Sequence, residues 1–276
     1  MEIVIGKSAG FCFGVANAVN KTNDLLNTSE KSYCLGELVH NNQVTDELQK
    51  KGLVIIDNVE QAKNNIIIRS HGVKKQIYKK AEKLRLHVTD LTCPKVIKIH
   101  NIATEYSNNG YYIFLIGQKD HPETIATISY CGKNATIIEK QEDINKGLEK
   151  FYNSNIKKLL ILSQTTYSLE KFDSIVSFIK EIIQENAELE VKNTICDATR
   201  LRQEETKKIA SKVDMMIIIG GKHSSNTNKL YNISTKYCKN CILIETKDEL
   251  SLDYIKQFEK IGIMAGASTP QKSIET

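Results

Sequence analysis

Cys12, Cys93 and Cys196 each follow a short apolar run and precede a stretch with helical periodicity. Each also has a polar residue at one common distance downstream: His40 (40 − 12 = 28), His121 (121 − 93 = 28) and Ser224 (224 − 196 = 28). The second and third share a longer offset, to Thr165 (165 − 93 = 72) and Ser268 (268 − 196 = 72). A fixed offset repeated three times marks an internal repeat. The spacing predicts three similar units, each bringing one thiolate and then small polar groups to a single centre.

Three single cysteines so far apart do not suit a zinc finger, whose ligands come as close pairs. Three thiolates at loop–helix junctions can hold an iron–sulfur cluster. A four-iron cluster normally takes four cysteines, so three would leave one iron open to a substrate. Helix N-termini would lower the thiol pKa values and offset the cluster's negative charge. The competing reading is that these are buried structural cysteines, which are common in cores. Cys238 and Cys241 form a C-x-x-C pair near the end of a predicted helix, where no helix N-terminus stabilises a thiolate, and are read as packing. Cys34 and Cys131 stand alone and are read as structural.

A second set of residues lies at the ends of predicted strands: His40, Ser70-His71-Gly72, His121-Pro122-Glu123, Gln164-Thr165-Thr166, Ser224-Ser225-Asn226 and Ser268-Thr269. Hydroxyls, amides and imidazoles beside glycine at helix N-termini suit an anion with many oxygens, such as a phosphate or diphosphate. One such loop would be no more than a helix cap; several converging on one centre make a binding site. Glu123 is the acid within this set. Beside a bound anion a carboxyl tends to keep its proton, which suits a general acid; a helix-start carboxylate favoured by the dipole is the alternative. His87 and His100 fall within a strand and a helix and read as structural, while His223 flanks the site.

The elements that must position these residues alternate strictly. Strands are predicted at Glu2–Ile5, Tyr33–Leu38, Leu53–Ile56, Asn65–Arg69, His87–Leu91, Tyr111–Gly117, Lys158–Leu162, Leu189–Val191, Asp214–Ile219, Ile242–Ile244 and Lys260–Met264. Amphipathic runs intervene, the clearest carrying Leu169, Phe172, Ile175, Val176, Ile179, Ile182 and Ile183. Another places Val73, Ile77, Ala81 and Leu84 on one face. This alternation predicts mostly parallel sheets with helices on their faces, whose ligands bind outside the carboxyl ends of the strands. The cysteine spacing divides the chain into α/β domains at 13–93, 94–192 and 193–276, the last including the N-terminal strand 1–12.

The 276 residues suffice for two or three modest domains, with ordinary hydrophobic (41%) and charged (26%) content. No apolar run approaches the ~20 residues of a membrane helix, and the N-terminus lacks a secretion signal, so a cytoplasmic location is expected. Seven cysteines, an odd count without such a signal, argue for free thiols or metal ligands rather than disulfides. The net charge of +5 is mild, and lysines such as Lys74, Lys75, Lys79, Lys80 and Lys83 read as a solvated helix face. No zinc-finger, KH or RNP pattern supports nucleic-acid binding.

Taken together, these motifs resemble the 4-hydroxy-3-methylbut-2-enyl diphosphate reductases, the LytB-type enzymes. The matching pieces are Gly10-Phe11-Cys12-Phe13-Gly14-Val15, Val39-His40-Asn41, Ser70-His71-Gly72, Thr92-Cys93-Pro94, His121-Pro122-Glu123 and Ser163-Gln164-Thr165-Thr166. Cys196-Asp197-Ala198-Thr199, Arg202-Gln203, Ser224-Ser225-Asn226 and Ala265-Gly266-Ala267-Ser268 continue them in order over nearly the whole chain. The resemblance implies a trefoil of three pseudo-repeated α/β domains around a central [4Fe–4S] cluster held by Cys12, Cys93 and Cys196. It assigns His40, His71, His121, Ser224, Ser225, Asn226 and Ser268 to a diphosphate pocket, Thr165 to the substrate alcohol and Glu123 to proton supply. The implied reaction is reductive dehydroxylation of 4-hydroxy-3-methylbut-2-enyl diphosphate to isopentenyl and dimethylallyl diphosphate, ending the methylerythritol phosphate route. An external electron donor such as ferredoxin or flavodoxin, a monomeric state, and no membrane or nucleic-acid partner go with it. The chain departs from the family pattern at Gln118-Lys119-Asp120 and ends soon after Ser268, where relatives continue the final helix.

Two other classes bracket this reading. One is a phosphate-ester hydrolase or isomerase using the histidines with a divalent metal. The other is a non-enzymatic iron–sulfur redox sensor or RNA-associated protein. A brown colour with broad absorption near ~400 nm would separate a cluster enzyme from the first. A steep salt dependence of nucleic-acid binding would point to the RNA-associated reading.

Overall fold

Two runs, Tyr112–Ile116 and Met215–Ile219, are apolar and buried at every position. Alternate side chains of a strand point to opposite faces, so such runs need cover on both sides and belong in the middle of parallel sheets. The computed structural model describes residues 1–28 and 31–275, and both runs are central strands there.

Among the described residues the strands are β1 (Glu2–Ile5), β2 (Ser32–Leu35), β3 (Leu53–Ile56), β4 (Asn65–Ile68), β5 (His87–Asp90) and β6 (Tyr112–Ile116). They continue with β7 (Ala135–Ile138), β8 (Lys158–Ser163), β9 (Glu188–Val191), β10 (Met215–Ile219), β11 (Asn240–Ile244) and β12 (Lys260–Ala265). They form three four-stranded sheets, ordered β3-β2-β4-β5, β7-β6-β8-β9 and β11-β10-β12-β1. The ladders of β4 with β2 and β5, of β6 with β7 and β8, and of β8 with β9 are parallel. So are those of β10 with β11 and β12, and of β12 with β1. The expected α/β architecture with parallel sheets is therefore observed.

The three orders are one pattern. In each sheet the first strand in the sequence of the repeat has the second on one side and the third, then the fourth, on the other. In the last sheet the fourth place is taken by β1, from the start of the chain. The cysteine spacing follows from this pattern: Cys93 follows β5, Cys196 follows β9 and Cys12 follows β1, each the fourth strand. His40, His121 and Ser224 follow the first strands β2, β6 and β10, while His71, Thr165 and Ser268 follow the third strands β4, β8 and β12.

The chain groups into two compact units: Met1–Ser32 with Glu37–Ile55 and Asp197–Thr276, and Tyr33–Gly36 with Ile56–Cys196. In the second, Tyr112, Phe114 and Ile116 pack on one face of their sheet with Phe151, Phe172, Ile175 and Ile179. Ile113 and Leu115 pack on the other with Ile99, Ala103 and Cys131. In the first, Met215, Ile217 and Ile219 face Ile244, Ile255 and Ile274, whereas Met216 and Ile218 face Leu230, Met264 and Cys238. Each fully buried side chain of this size contributes about 1.5–3 kcal/mol.

Three local expectations change. Leu84 is 46% exposed, because its helix ends at Lys83 and Leu84 caps it, leaving Ala81 as the buried residue of that segment. Ile182, the last residue of the helix Leu169–Ile182, is 39% exposed. The strand β7 was not expected. It is a four-residue edge strand with only Ile138 buried, so it lacks the apolar run of its neighbours.

Candidate functional site

In the unit containing Cys93 and Cys196, each cysteine backbone is anchored to the neighbouring third-strand loop of its sheet. The Cys93 N–H donates to the Ser70 carbonyl at 3.0 Å and the Cys196 N–H to the Thr165 carbonyl at 3.0 Å. Cys93 caps the helix Pro94–Asn108, with proline at the first helical position, and Cys196 directly precedes the helix Asp197–Ala210. Both cysteines lie outside disulfides and are half-buried.

Glu123 is 1% exposed and belongs to the short helix Pro122–Thr127 after β6. Thr165, after β8, grips it twice: its N–H donates to Glu123 Oε1 at 2.6 Å and its hydroxyl to Oε2 at 2.6 Å. The Glu123 N–H in turn donates to His121 Nδ1 at 3.1 Å. The rings of His121 and His71 meet edge to face, 5.5 Å between centroids. Gln164, 1% exposed, takes the Gln118 N–H on its carbonyl at 3.0 Å and donates its amide to the Thr166 hydroxyl at 2.7 Å. This corner thus unites His71, His121, Glu123 and Thr165.

The other unit holds Cys12, His40, Ser224, Ser225, Asn226 and Ser268. The Cys12 N–H donates to the Ala267 carbonyl at 3.1 Å, and Cys12 directly precedes the helix Phe13–Thr28. Cys12 is likewise outside any disulfide and half-buried. Ser224 caps the helix Ser225–Tyr237, accepting from the Thr227 N–H, so Ser225 and Asn226 form its first turn. Lys229, one turn on, donates to the Ser225 hydroxyl at 2.7 Å. Asn226 is 4% exposed, and neither its amide nitrogen nor its carbonyl oxygen has a hydrogen-bond partner. A buried polar group left this way costs about 1–3 kcal/mol.

Ser268 donates its hydroxyl to the His40 carbonyl at 2.9 Å. A Cβ on Gly221 would lie 2.6 Å from that same carbonyl, so only glycine permits this approach. Glu37, three residues before His40, binds two imidazoles through Oε2: His40 Nδ1 at 3.3 Å and His223 Nε2 at 3.1 Å. Neither Glu37 nor this role for His223 was singled out from the sequence, although an acid one helical turn from a histidine is a visible signal.

The remaining cysteines behave differently. Burial pushes the thiols of Cys34 and Cys131 up to about 12, leaving them inert in their cores. Cys238 is buried, and Cys241 donates its thiol to the Cys238 carbonyl at 3.1 Å. Burial first, then neighbouring Cys238, pushes the Cys241 thiol up to about 12. The three half-buried thiols at the starts of long helices are the set whose chemistry fits a metal cluster. His100 is 5% exposed and stacked on Tyr130 at 3.9 Å, a structural role as expected. Among the described residues no helix is long and apolar enough to cross a membrane.

Three parallel four-stranded sheets whose strands run on into loops bearing cysteines, imidazoles and hydroxyls define the chain as an α/β protein. Residues 3–276 match the family model described as LytB protein. The chain is 42% identical, over all of its length and 97% of the relative's, to the 4-hydroxy-3-methylbut-2-enyl diphosphate reductase of Clostridioides difficile (strain 630). The solved E-1-hydroxy-2-methyl-but-2-enyl-4-diphosphate reductase from Plasmodium falciparum aligns with a TM-score of 0.90 at 30% identity, covering 99% of this chain and 86% of that one. A solved (E)-4-hydroxy-3-methyl-but-2-enyl diphosphate reductase, described as the terminal enzyme of the non-mevalonate pathway, aligns at 0.72 and 39% identity, covering 100% and 97%. The chain belongs to the LytB family.

Proposed function

We propose that this chain reduces 4-hydroxy-3-methylbut-2-enyl diphosphate to isopentenyl and dimethylallyl diphosphate, the last step of the methylerythritol phosphate route. Two electrons and two protons enter, the carbon–oxygen bond of the hydroxymethyl arm breaks, and the hydroxyl leaves as water. Cys12, Cys93 and Cys196 hold a [4Fe–4S] cluster, and the three repeats correspond to domains at 13–93, 94–192 and 193–276 with 1–12, arranged as a trefoil around it. When bound, the cluster supplies electrons and a Lewis-acidic iron left open by the missing fourth cysteine.

The protein's own groups do the rest. His40, His71, His121, Ser224, Ser225, Asn226 and Ser268 bind the diphosphate, with the Ser225–Tyr237 helix N-terminus favouring its charge. Binding satisfies the Asn226 amide, so part of the cost of burying it is recovered with the ligand. Thr165 lies beside the substrate alcohol and holds Glu123, which delivers the proton that lets the hydroxyl depart as water. Loops closed over the diphosphate exclude water from the reacting arm. An external one-electron donor of the ferredoxin or flavodoxin class supplies the electrons, and the enzyme works as a cytoplasmic monomer.

The observation that carries this reading is the Glu123 carboxyl, buried and gripped at both oxygens by Thr165. Glu123→Gln keeps the shape but removes the transferable proton. Measured anaerobically, this variant should keep its cluster and its substrate affinity while turnover falls roughly 10²–10⁴-fold. Wild-type turnover in it would remove Glu123 from the proton path.

A further inference from the structure

Two side chains of one neighbouring helix grip the segment that leads into Cys12. Glu205, on the helix Asp197–Ala210, accepts two consecutive backbone N–H groups, from Lys7 at 2.8 Å on Oε1 and from Ser8 at 2.8 Å on Oε2. The Ser8 hydroxyl donates to the same Oε2. One turn earlier, Arg202 is 4% exposed; its Nη2 donates to the Gly10 carbonyl at 2.6 Å and its Nη1 to Ala198 on its own helix at 3.1 Å. Two side chains thus hold residues 7, 8 and 10 through the backbone, and the Ser8 hydroxyl adds a bond of its own.

The path of this loop leaves little slack. A Cβ on Gly6 would fall 2.0 Å from the Met264 sulfur, and Gly10 adopts φ +96°, in the region that favours glycine. Beyond Gly10, the Cys12 N–H is tied to Ala267. Burial alone would raise the Glu205 carboxyl, but the Ser8 hydroxyl and the N–H groups of Ser8 and Lys7 hold it below the usual range, so it meets them as an anion. Charge-assisted bonds of this kind are about twice as strong as neutral ones.

We propose that Glu205, together with Arg202, is a positioning residue for Cys12: the pair clamps the Lys7–Gly10 backbone so that this thiolate is presented where the iron–sulfur centre binds. The proposal rests on the cluster assignment made above for Cys12. Partners that orient a metal ligand without touching the metal commonly govern how firmly the metal is held. Glu205→Gln replaces one carboxylate oxygen by an amide N–H₂ that faces a backbone N–H, so half of the clamp is lost at nearly constant volume.

The test uses the anaerobically prepared holoprotein challenged with an iron chelator and an alkylating reagent. The rate of loss of absorbance near ~400 nm follows the cluster, and mass spectrometry of peptides reads alkylation at each cysteine. Glu205→Gln should lose the cluster about 10-fold faster, with Cys12 alkylated ahead of Cys93 and Cys196. Arg202→Lys should act in the same direction. A variant that is merely less stable would open all three cysteines together, and that result overturns the proposal, as does unchanged cluster retention. Should Glu205→Gln fail to fold, Ser8→Ala removes only the hydroxyl bond and must still favour Cys12 alkylation. A wild-type protein that takes up no iron or sulfide on reconstitution would instead sink the cluster assignment itself, and the proposal with it.

Discussion

The carboxyl ends of β6 and β8 and those of β10 and β12 are equivalent places in the repeat, yet they treat their polar groups in opposite ways. At the first, Glu123 and Thr165 satisfy one another within the protein, at 2.6 Å on both oxygens. At the second, the amide of Asn226 is buried without a partner while its neighbours Ser224 and Ser225 are engaged by Thr227 and Lys229. A group that must keep its position while a proton moves is best held by the protein itself. A group that must recognise an anion is best left with its hydrogen bonds unspent. Under the proposed function the difference separates chemistry from recognition, and each side makes its own prediction.

After Glu123 itself, the largest effect is expected at Thr165. Thr165→Val removes the hydroxyl and leaves the buried Glu123 with one donor fewer. Turnover should fall about 100-fold, and the unliganded protein should lose about 1–3 kcal/mol in urea denaturation. Full stability with lost turnover would mean that the pair serves catalysis alone, and the contrast drawn here would fail on its structural side.

Acid probes the same unit next. Burial, only partly opposed by Asp90, lowers His100 from 6.5 to about 4. Between those values the unfolded chain binds a proton that the folded chain refuses, so stability falls as pH drops through this window and levels off below it. The loss should reach about 2–3 kcal/mol. His100→Phe keeps a ring to stack on Tyr130 and should flatten the pH dependence of the urea midpoint.

The smallest effect distinguishes the recognition side. Asn226→Leu removes an amide that has no partner in the free protein, so stability should hold or rise by about 1 kcal/mol. KM for the diphosphate should nevertheless increase roughly 10-fold, the value of about one lost hydrogen bond to a charged group. A clear loss of stability would show that Asn226 is structural and dissolve the comparison.

Much of this was legible in the residues. The apolar runs at Tyr112–Ile116 and Met215–Ile219 announce buried parallel strands, and the offsets between cysteines and polar loops record the order of strands in each sheet. What stayed hidden depended on tertiary approach. The edge strand β7 has too little apolar surface to declare itself. The mutual grip of Glu123 and Thr165 joins two loops far apart in the chain, so their residue types suggested roles but not contact. Glu205 is one of three acids on its helix; what sets it apart is two backbone N–H groups, which no side-chain pattern reveals.

The place of β1 as the fourth strand of the last sheet has a consequence for biosynthesis. β1 is made well before β12, its ladder partner among the described residues. At about 5–20 residues per second, the wait is on the order of tens of seconds. Cys12, which follows β1, therefore remains unplaced until β12 has been made. A nascent chain interrupted before Lys260 would carry Cys93 and Cys196 in finished repeats and yet have no strand on which to seat the third thiol.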